Sequence, residues 1–278
     1  MEGNAVKLIE CPRDAMQGWP HIISTAKKVE YQNALLKAGF DTLDFGSFVS
    51  PKAIPQMADT KDIVKQLDLS GSCTKLLAIV ANERGAQDAV VFEEISFLGF
   101  PFSVSETFQQ RNTNASIGES LERVEEIQNL CIKNRKELVV YISMGFGNPY
   151  GDAYDEEIVF NWVSKLAGLD IKIISLADTV GIAEAIQVER MTKYLVDALP
   201  QTEIGVHLHS TIQNREAKLE AAFTAGCRRF DGALKGIGGC PMAGNDLVGN
   251  MDTEYMLSYF KNREAAPELN EAALKECS

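Results

Sequence analysis

Apolar residues along the chain fall into two alternating patterns. Runs of strand length occupy residues 6–11, 42–47, 75–82, 138–143, 171–178, 204–210 and 230–236. Between them lie stretches with helical spacing. Residues 25–38 carry Val29, Leu35 and Leu36 on one side, and Gly39 stops the pattern. Residues 116–136 open with Ser116 followed by Glu119, a capping pair, and continue through Leu121, Val124, Ile127 and Cys131. Further helices are expected at 156–166, 183–199, 215–225 and 253–261. Residues 83–105 are harder, because a short apolar run has no decisive period. A strand at Ala89–Phe92 leaves no room for a crossover helix, so a helix over about 85–95 and a strand over 97–104 are expected.

That makes eight strand–helix units with short connections. Their alternation predicts a parallel sheet, and eight of them predict closure into a single (β/α)₈ TIM barrel, of class α/β. The alternative is an open doubly wound sheet, which normally carries a glycine-rich turn after its first strand. Glu10-Cys11-Pro12-Arg13-Asp14 contains no glycine. No Pro/Gly/Ser-rich linker divides the chain, so residues 1–278 read as one domain.

Composition narrows the setting. Apolar content of 45% and charged content of 24% are ordinary for a protein with a full core. No segment reaches the roughly 18 apolar residues of a membrane span. Met1-Glu2-Gly3-Asn4 lacks a basic start and an apolar run, so a cytoplasmic location is expected. The six cysteines are widely spaced and read as buried thiols. A net charge of −12 argues against nucleic acid as partner. An anionic substrate must meet local arginines or lysines against that field.

In a barrel, reactive groups sit at the C-terminal ends of the strands. There the sequence offers Arg13-Asp14 with Gln17, then Asp44, Asn82, Asp178-Thr179, His207-Leu208-His209 and Gly238-Gly239-Cys240. The chain has three histidines, and two of them stand two apart on one expected strand. Residues i and i+2 of a strand share a face, so His207 and His209 can reach one ion; the bland reading is two polar groups at a strand end. Asp14 is the natural carboxylate ligand and the Asn250 amide a fourth. Such nitrogen and oxygen donors suit Mg²⁺, Mn²⁺ or Co²⁺ better than a thiolate-lined zinc site. Arg13 suits an enolate oxygen, unless it merely pairs with Asp14. Cys240, on a glycine loop, is either a reactive or a buried thiol.

Several motifs together resemble the 3-hydroxy-3-methylglutaryl-CoA lyase family. They are Pro12-Arg13-Asp14-x-x-Gln17, Ser47-Phe48-Val49-Ser50-Pro51-Lys52-x-x-Pro55-Gln56-Met57, Ser105-Glu106-x-Phe108 with Asn112 and Asn114, Ser175-Leu176-x-Asp178-Thr179-x-Gly181, Val206-His207-x-His209 and Gly236-x-Gly238-Gly239-Cys240-Pro241. The resemblance covers nearly the whole chain. It implies a metal-dependent lyase that splits a 3-hydroxy diacid thioester into acetyl-CoA and acetoacetate. It further implies Asp14, His207, His209 and Asn250 as ligands of Mg²⁺ or Mn²⁺, with Asn245 the alternative to Asn250. Arg13, Asp14, His207 and Cys240 would be catalytic, and Gln17, Asp44, Asn82 and Glu254 would join Arg13 around the substrate. A homodimer is implied as well.

The chain departs from the family pattern at Asp44, where glutamate is usual, and at Ser210, where aspartate is usual. Cys11 and Ala15 replace glycines, the Cys240–Asn250 loop is longer by one residue, and the chain ends soon after the eighth helix. These changes leave room for a related hydroxyacyl-CoA with another branch group. Two rival readings are a synthase that condenses acetyl-CoA with a 2-oxo acid, and an inactive binding protein. Synthases usually follow His-x-His with Asn-Asp, and Ser210-Thr211 stands here.

Overall fold

The computed structural model describes residues 5–239 and 248–277. Eight strands, β1 (Lys7–Glu10), β2 (Thr42–Ser47), β3 (Lys75–Ile79), β4 (Ile95–Ser103), β5 (Glu137–Ser143), β6 (Ile173–Ala177), β7 (Glu203–His207) and β8 (Arg229–Gly232), close into a parallel barrel in sequence order. Closure is direct, with Lys7 opposite Arg229 and Glu10 opposite Gly232. The helices are α1 (Pro12–Gln17), α2 (Thr25–Ala38), α3 (Thr60–Val64), α4 (Glu83–Val90), α5 (Glu106–Thr113), α6 (Ile117–Lys133), α7 (Glu156–Gly168), α8 (Ala185–Ala198), α9 (Arg215–Thr224), α10 (Thr253–Lys261) and α11 (Glu271–Cys277).

The expected barrel is therefore present, and the difficult stretch is a helix followed by a strand, α4 then β4. Local chemistry explains the boundaries. Ser116 accepts from the Glu119 amide while the Glu119 carboxylate accepts from the Ser116 amide, so the capping pair starts α6. Gly39, at φ 87°, ends α2 in the left-handed region. Helices α1, α3, α5 and α11 have no counterpart in the expected pattern. Three of them are short, and α5 is polar along most of its length, so none has an apolar stripe to read.

Side chains alternate between two cores. Leu76, Ala78, Phe100, Phe102, Val206 and Phe230 pack outward beneath the helices. Leu77, Ile79, Phe97, Val139, Tyr141 and Ile173 fill the lumen along β3–β6. The opposite wall differs. With Leu43, Phe45, Val206 and Phe230 turned outward, period two turns Asp44, His207, Arg229 and Asp231 inward. A barrel with one polar wall has its chemistry already lateralised.

Of the thiols, Cys11, Cys131 and Cys227 are buried as expected, whereas Cys277 is half-buried and Cys73 exposed. No helix among the described residues is long and apolar enough to cross a membrane.

Candidate active site

Pro12 starts α1 directly off β1, where a proline's missing amide hydrogen costs nothing. That first turn lays Arg13 and Asp14 across the barrel mouth. Arg13 Nε donates to both Asp44 carboxylate oxygens (3.1 and 3.0 Å), and Nη2 donates to Asp44 as well. Nη1 donates to Asp14 Oδ1 and to Gln17 Oε1, each at 3.0 Å. A guanidinium has five N–H donors, so among the described residues these contacts leave one hydrogen, on Nη2, uncommitted. Gln17 closes the ring by donating to Asp14 Oδ1 at 2.8 Å.

Asp14 Oδ2 accepts from the Asn250 amide at 2.8 Å, and Asn250 Nδ2 also donates to the Ile237 carbonyl at 2.9 Å. Both amide hydrogens are thereby used, and Asn250 Oδ1 is buried with no hydrogen-bond partner among the described residues. A buried orphan acceptor beside a carboxylate is costly unless something positive meets it. Asp14, His207 and His209 offer ligand atoms that all lie within 4.8 Å of one another. The donor set fits a divalent cation. The strand proper ends at His207; His209 continues it as an antiparallel bridge to Asn250, which brings the amide to the imidazoles.

The electrostatics suit ligation by Asp14 and His209. Burial works to raise the Asp14 carboxyl, but Arg13, His207 and His209 outweigh it and hold it at about 2. Burial, followed by the His207 charge, lowers His209 to about 4, so its ring is neutral at pH 7. His207 moves the other way: burial acts downward, yet the hydrogen bond and charge of Asp231, with Asp14 behind them, raise it.

A cavity of about 340 Å³ opens over this cluster. Arg13, Asp14, Gln17, Asp44, His207 and His209 all line it, opposite an apolar wall that includes Val49, Ile54, Pro101 and Phe108. Two residues expected around the substrate stand elsewhere. The Asn82 side chain caps α4, accepting from the Gly85 amide at 2.9 Å, and Glu254 accepts from the Lys235 amide at 2.9 Å. Neither lines the cavity. Cys240 and Asn245 lie outside the described residues.

The sequence reading passed over three groups beneath the site. Asp231 Oδ2 lies 3.2 Å from His207 Nδ1. Buried Lys218 donates to Asp178 (2.6 Å) and to the His209 carbonyl (2.8 Å), tying β6 to the end of β7. Arg229 crosses the lumen below. The available signal was period two: Arg229 and Asp231 flank outward-facing Phe230 on a strand, so both had to face inward.

A family model described as HMGL-like matches residues 5–278. The chain belongs to the HMGL-like family. Among its relatives are a hydroxymethylglutaryl-CoA lyase of Bacillus subtilis, 34% identical over 88% of this chain and 82% of that protein. A (R)-citramalyl-CoA lyase of Chloroflexus aurantiacus is 30% identical over 92% of this chain and 83% of that protein. A solved HMG-CoA lyase of Acinetobacter baumannii, in complex with coenzyme A and 3-methylmalate, superposes with a TM-score of 0.91. It is 29% identical and covers 100% of this chain and 90% of its own.

Proposed function

We propose that the protein is a carbon–carbon lyase that cleaves a 3-hydroxy-3-methylglutaryl-CoA-like thioester to acetyl-CoA and acetoacetate. The observation that carries this is the convergence of Asp14, His207 and His209 with Arg13 in one cavity, with Asn250 hydrogen-bonded to Asp14. Asp14, His207, His209 and Asn250 would hold the ion, Mg²⁺ or Mn²⁺ by the hardness of the donors. When bound, the ion lowers the pKa of the substrate hydroxyl.

The chain's own groups do the rest. His207 and Asp14 would take up the hydroxyl proton. As the bond between the hydroxyl-bearing carbon and the thioester's α-carbon breaks, its electron pair moves onto the thioester oxygen and the hydroxyl carbon becomes a ketone. The remaining Arg13 Nη2 hydrogen meets that enolate oxygen, a contact worth about 3–4 kcal/mol when preorganised. A proton then returns to the α-carbon, with Cys240 as its proposed donor. Gln17 and Asp44 act through Arg13, by holding its other donors. Asn82 and Glu254 keep no substrate role in this reading, since capping and a backbone contact account for both.

The likeness to a (R)-citramalyl-CoA lyase supports a second version, in which the branch group differs from methyl. The reading also takes residues 1–278 as one domain, cytoplasmic as the buried unpaired thiols suggest, and homodimeric by resemblance. Purified protein with Mn²⁺ should release acetoacetate from 3-hydroxy-3-methylglutaryl-CoA and lose that activity with chelator. No cleavage of any hydroxyacyl-CoA, together with release of free CoA from acetyl-CoA plus a 2-oxo acid, would replace the lyase by the synthase reading.

A further inference from the structure

His207 on β7 stands level with Asp231 on β8 in the barrel register. Their side chains meet at 3.2 Å, Asp231 Oδ2 to His207 Nδ1, and the Asp231 side chain has no exposed surface. Its other oxygen, Oδ1, has no hydrogen-bond partner among the described residues. Two residues earlier on the same face, Arg229 is equally buried, and its Nε and Nη2 also lack partners among the described residues. Its stem lies over Gly205, where an added Cβ would come within 3.1 Å of Arg229 Cδ and 3.2 Å of Ser175 Oγ. Glycine at 205 therefore makes the space that the arginine fills.

Burying an aspartate and an arginine inside a barrel is expensive, and apolar replacements commonly stabilise such sites. The β3–β6 wall of this same lumen shows that an apolar filling is available to the fold. The charges under His207 thus call for a reason other than stability.

We infer that Asp231 is a positioning residue that accepts the Nδ1 hydrogen of His207, fixes the ring's tautomer and turns Nε2 toward Asp14 and His209, while Arg229 offsets its charge from below. The inference rests on the reading of His207 as a metal ligand. His209 has a backbone neighbour of its own in Thr179, which acts to raise its pKa against the larger pull of burial. His207 then has one nitrogen held by the protein and one free for the site, the arrangement by which outer partners orient metal-binding histidines.

The test uses Mn²⁺ alone as probe, with affinity read by calorimetry, and ¹⁵N-histidine NMR of the metal-free protein to read the tautomer. Wild type must bind Mn²⁺; if it does not, the metal reading itself fails, whatever Asp231 does. Given wild-type binding, Asp231→Ala should weaken Mn²⁺ affinity by about 10–100-fold and abolish the Nδ1-protonated signature of His207. Asp231→Asn keeps the volume and an acceptor, so it should fold and retain part of both. A merely structural aspartate would not set the tautomer. Wild-type Mn²⁺ affinity and an unchanged His207 tautomer in both variants, or in Asp231→Asn and wild type if the alanine variant does not fold, would overturn the inference.

Discussion

Glu10 offers the sharpest test of how burial governs this molecule. It ends β1, is 1% exposed, and faces away from the site. Its carboxyl accepts from the Leu234 amide at 2.8 Å and the Thr253 hydroxyl at 2.6 Å, the flanks of the segment that carries Asn250. Burial raises its pKa from 4.5 to about 8, against the pull of those two hydrogen bonds. The folded protein therefore keeps a proton that the unfolded chain has lost between those values. The sign follows from proton binding: this stabilisation is present in full below pH 4.5, erodes as pH rises, and is gone above pH 8. At 1.36 kcal/mol per pH unit, the loss between pH 5 and pH 9 comes to about 4 kcal/mol. Glu10→Gln mimics the neutral acid, with Oε1 accepting from Leu234 and Nε2 donating to Thr253. It should match wild type closely at pH 5 and exceed it by about 4 kcal/mol at pH 9, which is on the order of 10 °C in thermal midpoint for a barrel of this size. Comparing both proteins at each pH cancels every other titrating group. A constant difference from pH 5 to pH 9, or a glutamine variant less stable than wild type at pH 9, would show that Glu10 is held as a carboxylate and refute the reasoning.

Other consequences are simpler. Lys218→Met leaves buried Asp178 without its charge partner and should cost about 3–5 kcal/mol, read as a fall in thermal midpoint; adding Asp178→Asn should recover much of it. Gly238→Ala should damage the site while sparing the fold. A Cβ there would lie 2.6 Å from Asn250 Nδ2 and 2.8 Å from the Ala15 backbone, at φ +105°, so Mn²⁺ binding should weaken with little change in midpoint.

Much of the architecture was legible because parallel barrel strands are buried on both faces and read as near-continuous apolar runs. Strand β2 and helices α2 and α10 have the bounds expected of them, since Gly39 and a regular apolar period mark their limits. The positions of Arg13, Asp14, His207 and His209 around one cavity were also foreshadowed, because strand ends and an i, i+2 pair are local properties. Asn82 and Glu254 show where locality misleads. A polar residue after a strand serves a helix cap or a loop amide as readily as a substrate, and only the three-dimensional arrangement tells which.

What the sequence determined by itself was the order of the strands and of the helices with an apolar stripe, and the face each strand side chain takes. What tertiary structure alone decided was which charges meet. Closure of β8 onto β7 and β1 places Asp231 behind His207, while the turn of α1 seats Arg13 on Asp44. The bridge from His209 to Asn250 accompanies a hydrogen bond from the Asn250 amide to Asp14, and the amide oxygen is buried without a partner among the described residues. Those pairings join residues as far apart as 14 and 250, and no local period encodes them. They follow from the register in which a barrel must close.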